Sequence, residues 1–297
     1  MIKRVIEISR GLCRLSVRYG QLIVKKADET EKSIPIEDIG AVIISNKATT
    51  YTHSVMTELL NNNCAVVICG ENHHPSGMLL TLAGNTTQTE TFRHQIEAKL
   101  PVKKKLWKQI IKAKIKHQAK VIKHCPKTHR ALKAMSEKVR SGDPDNLEAQ
   151  ASRKYWPVYM QDTLFRRDMN GSPPNNLLNY GYMVLRAAVA RAIVSSGLLP
   201  TLGIHHRNRY NAYCLADDII EPFRGFVDSK VLDIVNYKDD LDNLDQQTKS
   251  ELISILYEKV TIAGFTGPLS VGLHRTTASL ARVFKGEQKK LELPEID

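Results

Sequence analysis

The sequence predicts a two-part α+β protein: a small N-terminal β-rich domain with one helix, then a larger, all-α C-terminal domain. Three observations lead there. Period-two alternation and short β-branched runs fill residues 1–80; helical apolar spacing takes over beyond a polar, Thr-rich stretch at 84–91; and histidines, carboxylates and arginines crowd into residues 203–224. The expected division is 1–83, a linker at 84–92, and 93–297.

In the first part, Cys13, Leu15 and Val17 alternate with Arg14, Ser16 and Arg18, and Tyr19-Gly20 turns the chain into a returning strand at 22–24. Residues 34–36, 41–44 and 65–69 are further β-branched runs. Between the last two, Val55, Leu59 and Leu60 sit at helical spacing, with Thr52 or Ser54 as cap. The polar turn at 71–77 holds His73 and His74, which read as solvated loop residues without chemistry.

Past the linker, Trp107, Ile111, Ile115, Ala119 and Ile122 recur at steps of four and three, with lysines on the other faces. One helix thus has a core stripe and a basic surface, and Pro126 ends it. Leu132, Met135 and Val139 mark a second helix stopped by Gly142. Asp143-Pro144-Asp145-Asn146 reads as a turn into the next helix, placing Glu148 in its first turn, where the helix dipole keeps a carboxylate ionised. Residues 176–196 form another helix, and Arg186 and Arg191 within its apolar run need carboxylates or phosphates, because unpaired burial is costly. Residues 247–285 add two helices, and the charged tail at 285–297 reads as disordered.

Apolar residues make up 42% of the 297 and charged residues 25%, an ordinary globular composition with room for real cores. No apolar run approaches a membrane span, Arg191 interrupting the best candidate at 187–194. Met1-Ile2-Lys3-Arg4-Val5 enters an alternating pattern without the apolar core of a signal peptide. A cytoplasmic protein with no membrane partner is expected. The cysteines (Cys13, Cys64, Cys69, Cys125, Cys214) are odd in number and scattered, so they read as reduced thiols rather than a disulfide or zinc framework. Nearly all of the formal +12 charge is local: residues 101–140 hold fourteen Lys or Arg against one acid, Glu137. A stripe this dense attracts a phosphate backbone and makes binding fall with salt. Lys103, Lys104, Lys108 and Lys112 are its candidate contacts.

Residues 203–224 read G-I-H-H-R-N-R-Y-N-A-Y-C-L-A-D-D-I-I-E-P-F-R. If 215–223 is helical, Asp218 and Glu221 lie three apart on one face. A histidine from the preceding loop then closes a site of imidazole and carboxylate ligands in the all-α domain. Such a set suits Mg²⁺ or Mn²⁺ better than structural zinc, which favours cysteines. Beside the basic stripe it points to metal-assisted phosphoryl transfer on nucleic acid. Arg207, Arg209 and Arg224 flank the ligands and can neutralise phosphate, although Arg224 can equally pair with Asp218 or Glu221. Asp217 reads as a helix-capping residue.

Three blocks now carry a resemblance: N-L-E-A-Q-A-S-R-K-Y-W (146–156), N-N-L-L-N-Y-G-Y-M-V-L-R (175–186), and L-P-T-L-G-I-H-H through L-A-D-D-I-I-E-P-F-R to V-D (199–228). In this order and spacing they resemble the integrase of CRISPR adaptation, the metal-dependent nuclease-integrase that inserts new spacers. The compact length resembles versions from systems with a single RNA-guided effector nuclease. The resemblance implies a Glu, His and acidic metal triad, falling on Glu148, on His206 (Gly203, two residues, then the ligand, with His205 the alternative of the doublet) and on Glu221. Asp218 either completes the metal shell or orients His206 through its other ring nitrogen. It also implies a homodimer working with a small ferredoxin-fold adaptation protein on double-stranded DNA, protospacer and CRISPR repeat, with the effector nuclease a further candidate partner. Tyr180 and Asn179 belong to a matching block and are candidates to line the site; Tyr155 and Trp156 read as core. The implied reaction is direct transesterification, a protospacer 3′-hydroxyl attacking a repeat-border phosphate. The rival readings are a structure-specific repair nuclease and a non-catalytic basic DNA scaffold.

Overall fold

The computed structural model describes residues 3–9, 11–70, 75–162 and 164–296; His73 and His74 lie outside them. The chain opens with β1 (Arg4–Ile8), β2 (Cys13–Arg18), β3 (Gln21–Lys26), β4 (Glu31–Pro35), β5 (Ile39–Ile44), β6 (Thr49–Tyr51), α1 (His53–Asn61), β7 (Ala65–Cys69) and β8 (Pro75–Leu79). These strands form two four-stranded sheets, ordered β4-β3-β2-β6 and β1-β5-β7-β8.

Alternation builds the first sheet. Leu15 lies opposite Val24, both buried, while Arg14 is exposed. Tyr19 and Gly20 both take positive φ (51° and 69°), the two-residue turn that matches the twist of a hairpin. The second sheet is different in kind. Every residue of β5 is buried, and β5 runs parallel to β1 and β7. One of its faces packs with α1 and the first sheet (Leu15, Val55, Leu59), the other against the helical part, which is why its sequence is an unbroken apolar run.

The helical part comprises α2 (Gln88–Glu97), α3 (Leu100–Val121), α4 (Pro126–Lys138), α5 (Leu147–Tyr159), α6 (Asn175–Ser195), α7 (Cys214–Ile220), α8 (Arg224–Tyr237) and α9 (Gln246–Ser254). Then come β9 (Lys259–Ile262), β10 (Phe265–Pro268) and α10 (Leu269–Lys285). The first of these, α2, starts inside the Thr-rich stretch expected to be linker. Pro126 stands at the start of α4, where its missing N–H has no intrahelical partner to lose, rather than at the end of α3. By length and composition α6 could cross a membrane, yet 78% of its apolar window is buried among the other elements. It is the core helix on which the second sheet rests.

Two expectations are corrected. The C-terminal part is not all-α: β9 and β10 form an antiparallel hairpin, turned by Ala263 and Gly264 at positive φ (49° and 74°). Val260 and Ile262 are buried and Lys259 is exposed, an alternation only four residues long. Nor is the stretch after Lys285 loose. Leu291 is buried and donates its N–H to Gln109 Oε1 (3.0 Å), the Glu292 carboxylate accepts from Arg282 (2.6 Å), and Pro294 bridges to Ile262. The tail's charges are partners for charges on α10, and its leucines anchor it.

Candidate active site

The basic helix α3 is also the wall of the site. Trp107, Lys114 and Gln118 fall at steps of seven and four, so all three project from one face. That face is buried along with Ile110, Ile111 and Ile115, and Lys114 itself is only 9% exposed. A lysine there must find negative charge.

It finds two carboxylates. Glu148 enters from the first turn of α5, whose end is fixed by Asp143: its Oδ1 and Oδ2 accept from the N–H groups of Leu147 and Glu148, both at 2.9 Å. Glu148 Oε1 then meets the Lys114 ammonium, and Ser152, one turn on, donates to the same oxygen at 3.3 Å. Glu221 enters from the short 3₁₀ turn Glu221–Phe223 between α7 and α8. Its Oε2 lies 2.6 Å from Lys114 Nζ and its Oε1 accepts from Arg224 Nε at 2.9 Å. Burial alone would raise the Glu221 pKa; the Arg224 and Lys114 charges overcome it and hold the carboxyl at about 2. Oε2 is itself buried, with the Lys114 ammonium against it.

A cavity of about 340 Å³ opens beside this cluster, lined among others by Lys114, Glu148, Arg167, Glu221, Arg224 and Asp228. Arg167 is held by the side-chain oxygens of Asn175 (3.0 Å) and Asn179 (2.6 Å), which gives the N-N-L-L-N block its physical sense. Arg224 lies over the Tyr182 ring at 4.5 Å. Asp228 accepts from the hydroxyls of Tyr155 (2.7 Å) and Tyr182; burial still pushes its pKa up to about 6. Trp156 also lines the cavity, whereas Tyr155 is wholly core. Tyr180 is buried too, its raised pKa owed first to burial and then to Glu7 of the sheet region.

A second cluster gathers around Asp218, which is fully buried. The loop at 203–206 wraps its carboxylate. Oδ2 accepts from the N–H groups of Ile204 and His205 (the latter at 2.9 Å), and Oδ1 accepts from His206 N (3.2 Å) and His206 Nδ1 (2.6 Å). Only glycine fits at position 203: a Cβ there would sit 2.8 Å from Asp218 Oδ2 and collide with the His206 carbonyl oxygen. The hydrogen bond to Asp218 raises the His206 pKa above its ordinary value and fixes Nδ1 as the donor. Nε2 is the nitrogen left for other work. His205 instead stacks flat on Trp107, ring centroids 4.1 Å apart at 3°.

Of the residues singled out from sequence, Glu148 and Glu221 meet at Lys114, and His206 meets Asp218. Among the described residues, no three His, Cys, Asp or Glu side chains form a group that could hold a metal ion, so a closed metal site in this part of the chain is not what the structure contains. The two carboxylates come from different elements and aim at one positive charge, and carboxylate oxygens are the donors that a hard cation takes. Arg224 pairs with Glu221 rather than Asp218, and Asp217 pairs with Arg186 at 2.7 Å. Arg207 and Arg209 are exposed, Arg209 lying over Tyr210 at 4.6 Å. Along α3, Lys104 and Lys108 are exposed and Lys103 half-buried, while Lys112 pairs with Glu137 at 2.5 Å. Lys114, Gln118 and Asp143 were not among the expected site residues. The signal was there for Lys114, a lysine standing between Ile111 and Ile115 on the apolar stripe.

Residues 8–259 match the family model for CRISPR associated protein Cas1, and the chain belongs to that family. It is 34% identical over 286 residues to the CRISPR-associated endonuclease Cas1 of Neisseria meningitidis serogroup C (strain 8013), covering 95% of this chain and 93% of that one. Among solved structures, a casposase bound to integration product superposes with a TM-score of 0.82 at 22% identity, covering 98% of this chain and 93% of that one. A Cas6-RT-Cas1–Cas2 complex superposes with a TM-score of 0.74 at 20% identity, covering 97% of this chain and 35% of that one. The two structural likenesses establish a shared fold.

Proposed function

We propose that this chain is the DNA integrase and endonuclease of CRISPR spacer acquisition. A protospacer 3′-hydroxyl attacks a phosphate at the repeat border; the new P–O bond forms as the bond to the repeat strand's 3′-oxygen breaks, and the proton that the attacking hydroxyl loses to solvent is matched by one that the departing oxygen takes up to become a hydroxyl. With water as the attacking group the same site cuts DNA. Besides family membership, one observation carries the reading: Glu148 and Glu221 converge on a single cation at the edge of an arginine-lined cavity.

Glu148 and Glu221 are the pair that would hold Mg²⁺ or Mn²⁺; His206, grouped with Asp218 rather than with that pair, is the third ligand on the strength of the family resemblance, through Nε2. When bound, the ion supplies Lewis-acid polarisation of the phosphoryl oxygen and neutralises charge that develops in transfer. Asp218 orients the His206 ring rather than ligating, because both of its oxygens are already engaged by the 203–206 loop. Arg167 presents its charge to the phosphate, and Arg224 is tied to keeping Glu221 ionised. The exposed lysines of α3 track the duplex backbone. A Cas1–Cas2 complex and a casposase bound to integration product among the structural neighbours support DNA and a small Cas2-type partner for this chain as well. The working form is then a homodimer joined to that small ferredoxin-fold protein.

The test combines the purified chain and its small partner with a duplex bearing 3′-hydroxyl ends and a supercoiled plasmid carrying the repeat array. Joining of the duplex to the array, abolished by 3′-deoxy ends, supports the integrase. Cutting without joining would leave a nuclease alone.

A further inference from the structure

The position of Lys114 raises a question that the proposed chemistry does not answer. Its ammonium fills the space between Glu148 Oε1 and Glu221 Oε2, the two oxygens assigned above to a divalent ion. The two cations cannot share that space. Without either, two carboxylates would face each other, one of them 5% exposed, with no compensating charge between them. The lysine is therefore a resident counter-ion.

An unpartnered buried acceptor lies one turn along the same helix. Gln118 is 5% exposed, lines the same cavity, and its Oε1 is a buried acceptor with no hydrogen-bond partner. Residues four apart on a helix are neighbours, and a lysine carries its charge on a flexible four-carbon stem. The Gln118 carbonyl oxygen is thus an unfilled acceptor within reach of a displaced Lys114 ammonium, and leaving it unfilled costs stability.

We propose that Lys114 is a two-position cation: between Glu148 and Glu221 before loading, and on Gln118 Oε1 once a divalent ion has taken the carboxylates. This rests on the reading of Glu148 and Glu221 as metal-holding residues. The lysine acts as a positioning residue. It keeps the two carboxylates together until the metal arrives, and its charge afterwards stays in the cavity that receives the phosphate.

The two ends of this exchange move metal affinity in opposite directions. Lys114→Met removes the competitor, so Mn²⁺ should bind about tenfold more tightly in calorimetric titration. Gln118→Leu removes the second seat, so Mn²⁺ should bind about tenfold more weakly, and that effect should vanish in the Lys114→Met background. An unchanged or weaker affinity in Lys114→Met, or a Gln118→Leu effect that persists without the lysine, overturns the proposal. Failure of the wild type and every variant to bind Mn²⁺ overturns the metal reading along with it. Should Lys114→Met not fold, the wild type alone decides. Amine-specific labelling read by mass spectrometry should modify Lys114 slowly in EDTA and several-fold faster with Mn²⁺. A labelling rate indifferent to Mn²⁺ means that the ammonium does not move.

Discussion

His206 Nδ1 lies 2.6 Å from Asp218 Oδ1, and the same carboxylate gathers the backbone N–H groups of Ile204, His205 and His206. One buried acid thus folds the loop and aims the ring. The two residues should separate cleanly on substitution. The His206 side chain is 43% exposed, so His206→Ala should keep stability within about 1 kcal/mol while abolishing strand transfer. Asp218→Ala orphans three backbone donors and should cost about 3 kcal/mol or more, losing activity together with the fold. Urea denaturation beside a strand-transfer assay checks both, and a stable Asp218→Ala protein would show that the loop does not depend on this carboxylate.

Glu221 and Glu148 differ in the same way. Glu221→Ala leaves Lys114 and Arg224 facing an empty, buried position and should destabilise by about 3–5 kcal/mol. Glu148 is 29% exposed, and its loss should cost about 1 kcal/mol. Both substitutions should abolish strand transfer. Denaturation midpoints ranked the other way would place the stabilising charge on Glu148.

Charges on α3 should not contribute equally to DNA affinity. Lys108 is exposed and carries no described ion pair, so Lys108→Ala should lower the slope of log affinity against log salt by about 0.9. Lys112 is engaged by Glu137, and Lys112→Ala should lower it by less. Fluorescence anisotropy across a salt series reads the slopes, and equal losses would mean that Glu137 releases Lys112 to the duplex.

His274 ties stability to pH. Burial, with Arg191 and Lys3 nearby, depresses its pKa from 6.5 to about 4, and Arg191 Nη1 lies 3.1 Å from its Nε2. Below pH 6.5 the unfolded chain takes up a proton that the folded chain refuses until about pH 4. Stability from this group is therefore fully present above pH 6.5 and lost as pH falls to about 4, at most about 3 kcal/mol in all. Thermal melts at pH 7 and pH 5 should converge in His274→Gln relative to the wild type. An identical pH response in the variant would remove His274 as the cause.

The two-part organisation was legible wherever a pattern ran long enough to reveal its period. Leu15 and Val17 alternated, and Trp107 through Ile122 stepped by fours and threes. What escaped was short or relational. Four residues of alternation at 259–262 sit between helical runs, and a hairpin that brief is indistinguishable from helix ends by period alone. The tail was misread because Glu292 is held by Arg282 on the preceding helix and Leu291 by Gln109, far away in sequence. Glu148, His206 and Glu221 were singled out from blocks of residue types, and the structure brings Glu148 to Glu221 and His206 to Asp218. That Lys114 would stand between two of them could not be read, since a charge on an apolar stripe announces a partner without naming it. The expected adjacency of Asp218 and Glu221 on one face also misled: Asp218 ends in α7 facing the 203–206 loop, and Glu221 in the following 3₁₀ turn facing α3.

The central claim is strand transfer that needs His206 as well as Glu148 and Glu221. It is tested most directly on a branched DNA that mimics a half-integrated spacer, incubated with the protein in Mn²⁺, Mg²⁺ or EDTA. The account predicts resealing of the repeat strand with metal and none in EDTA, lost in His206→Ala and retained in His205→Ala. Resealing that persists in EDTA or in His206→Ala would contradict it.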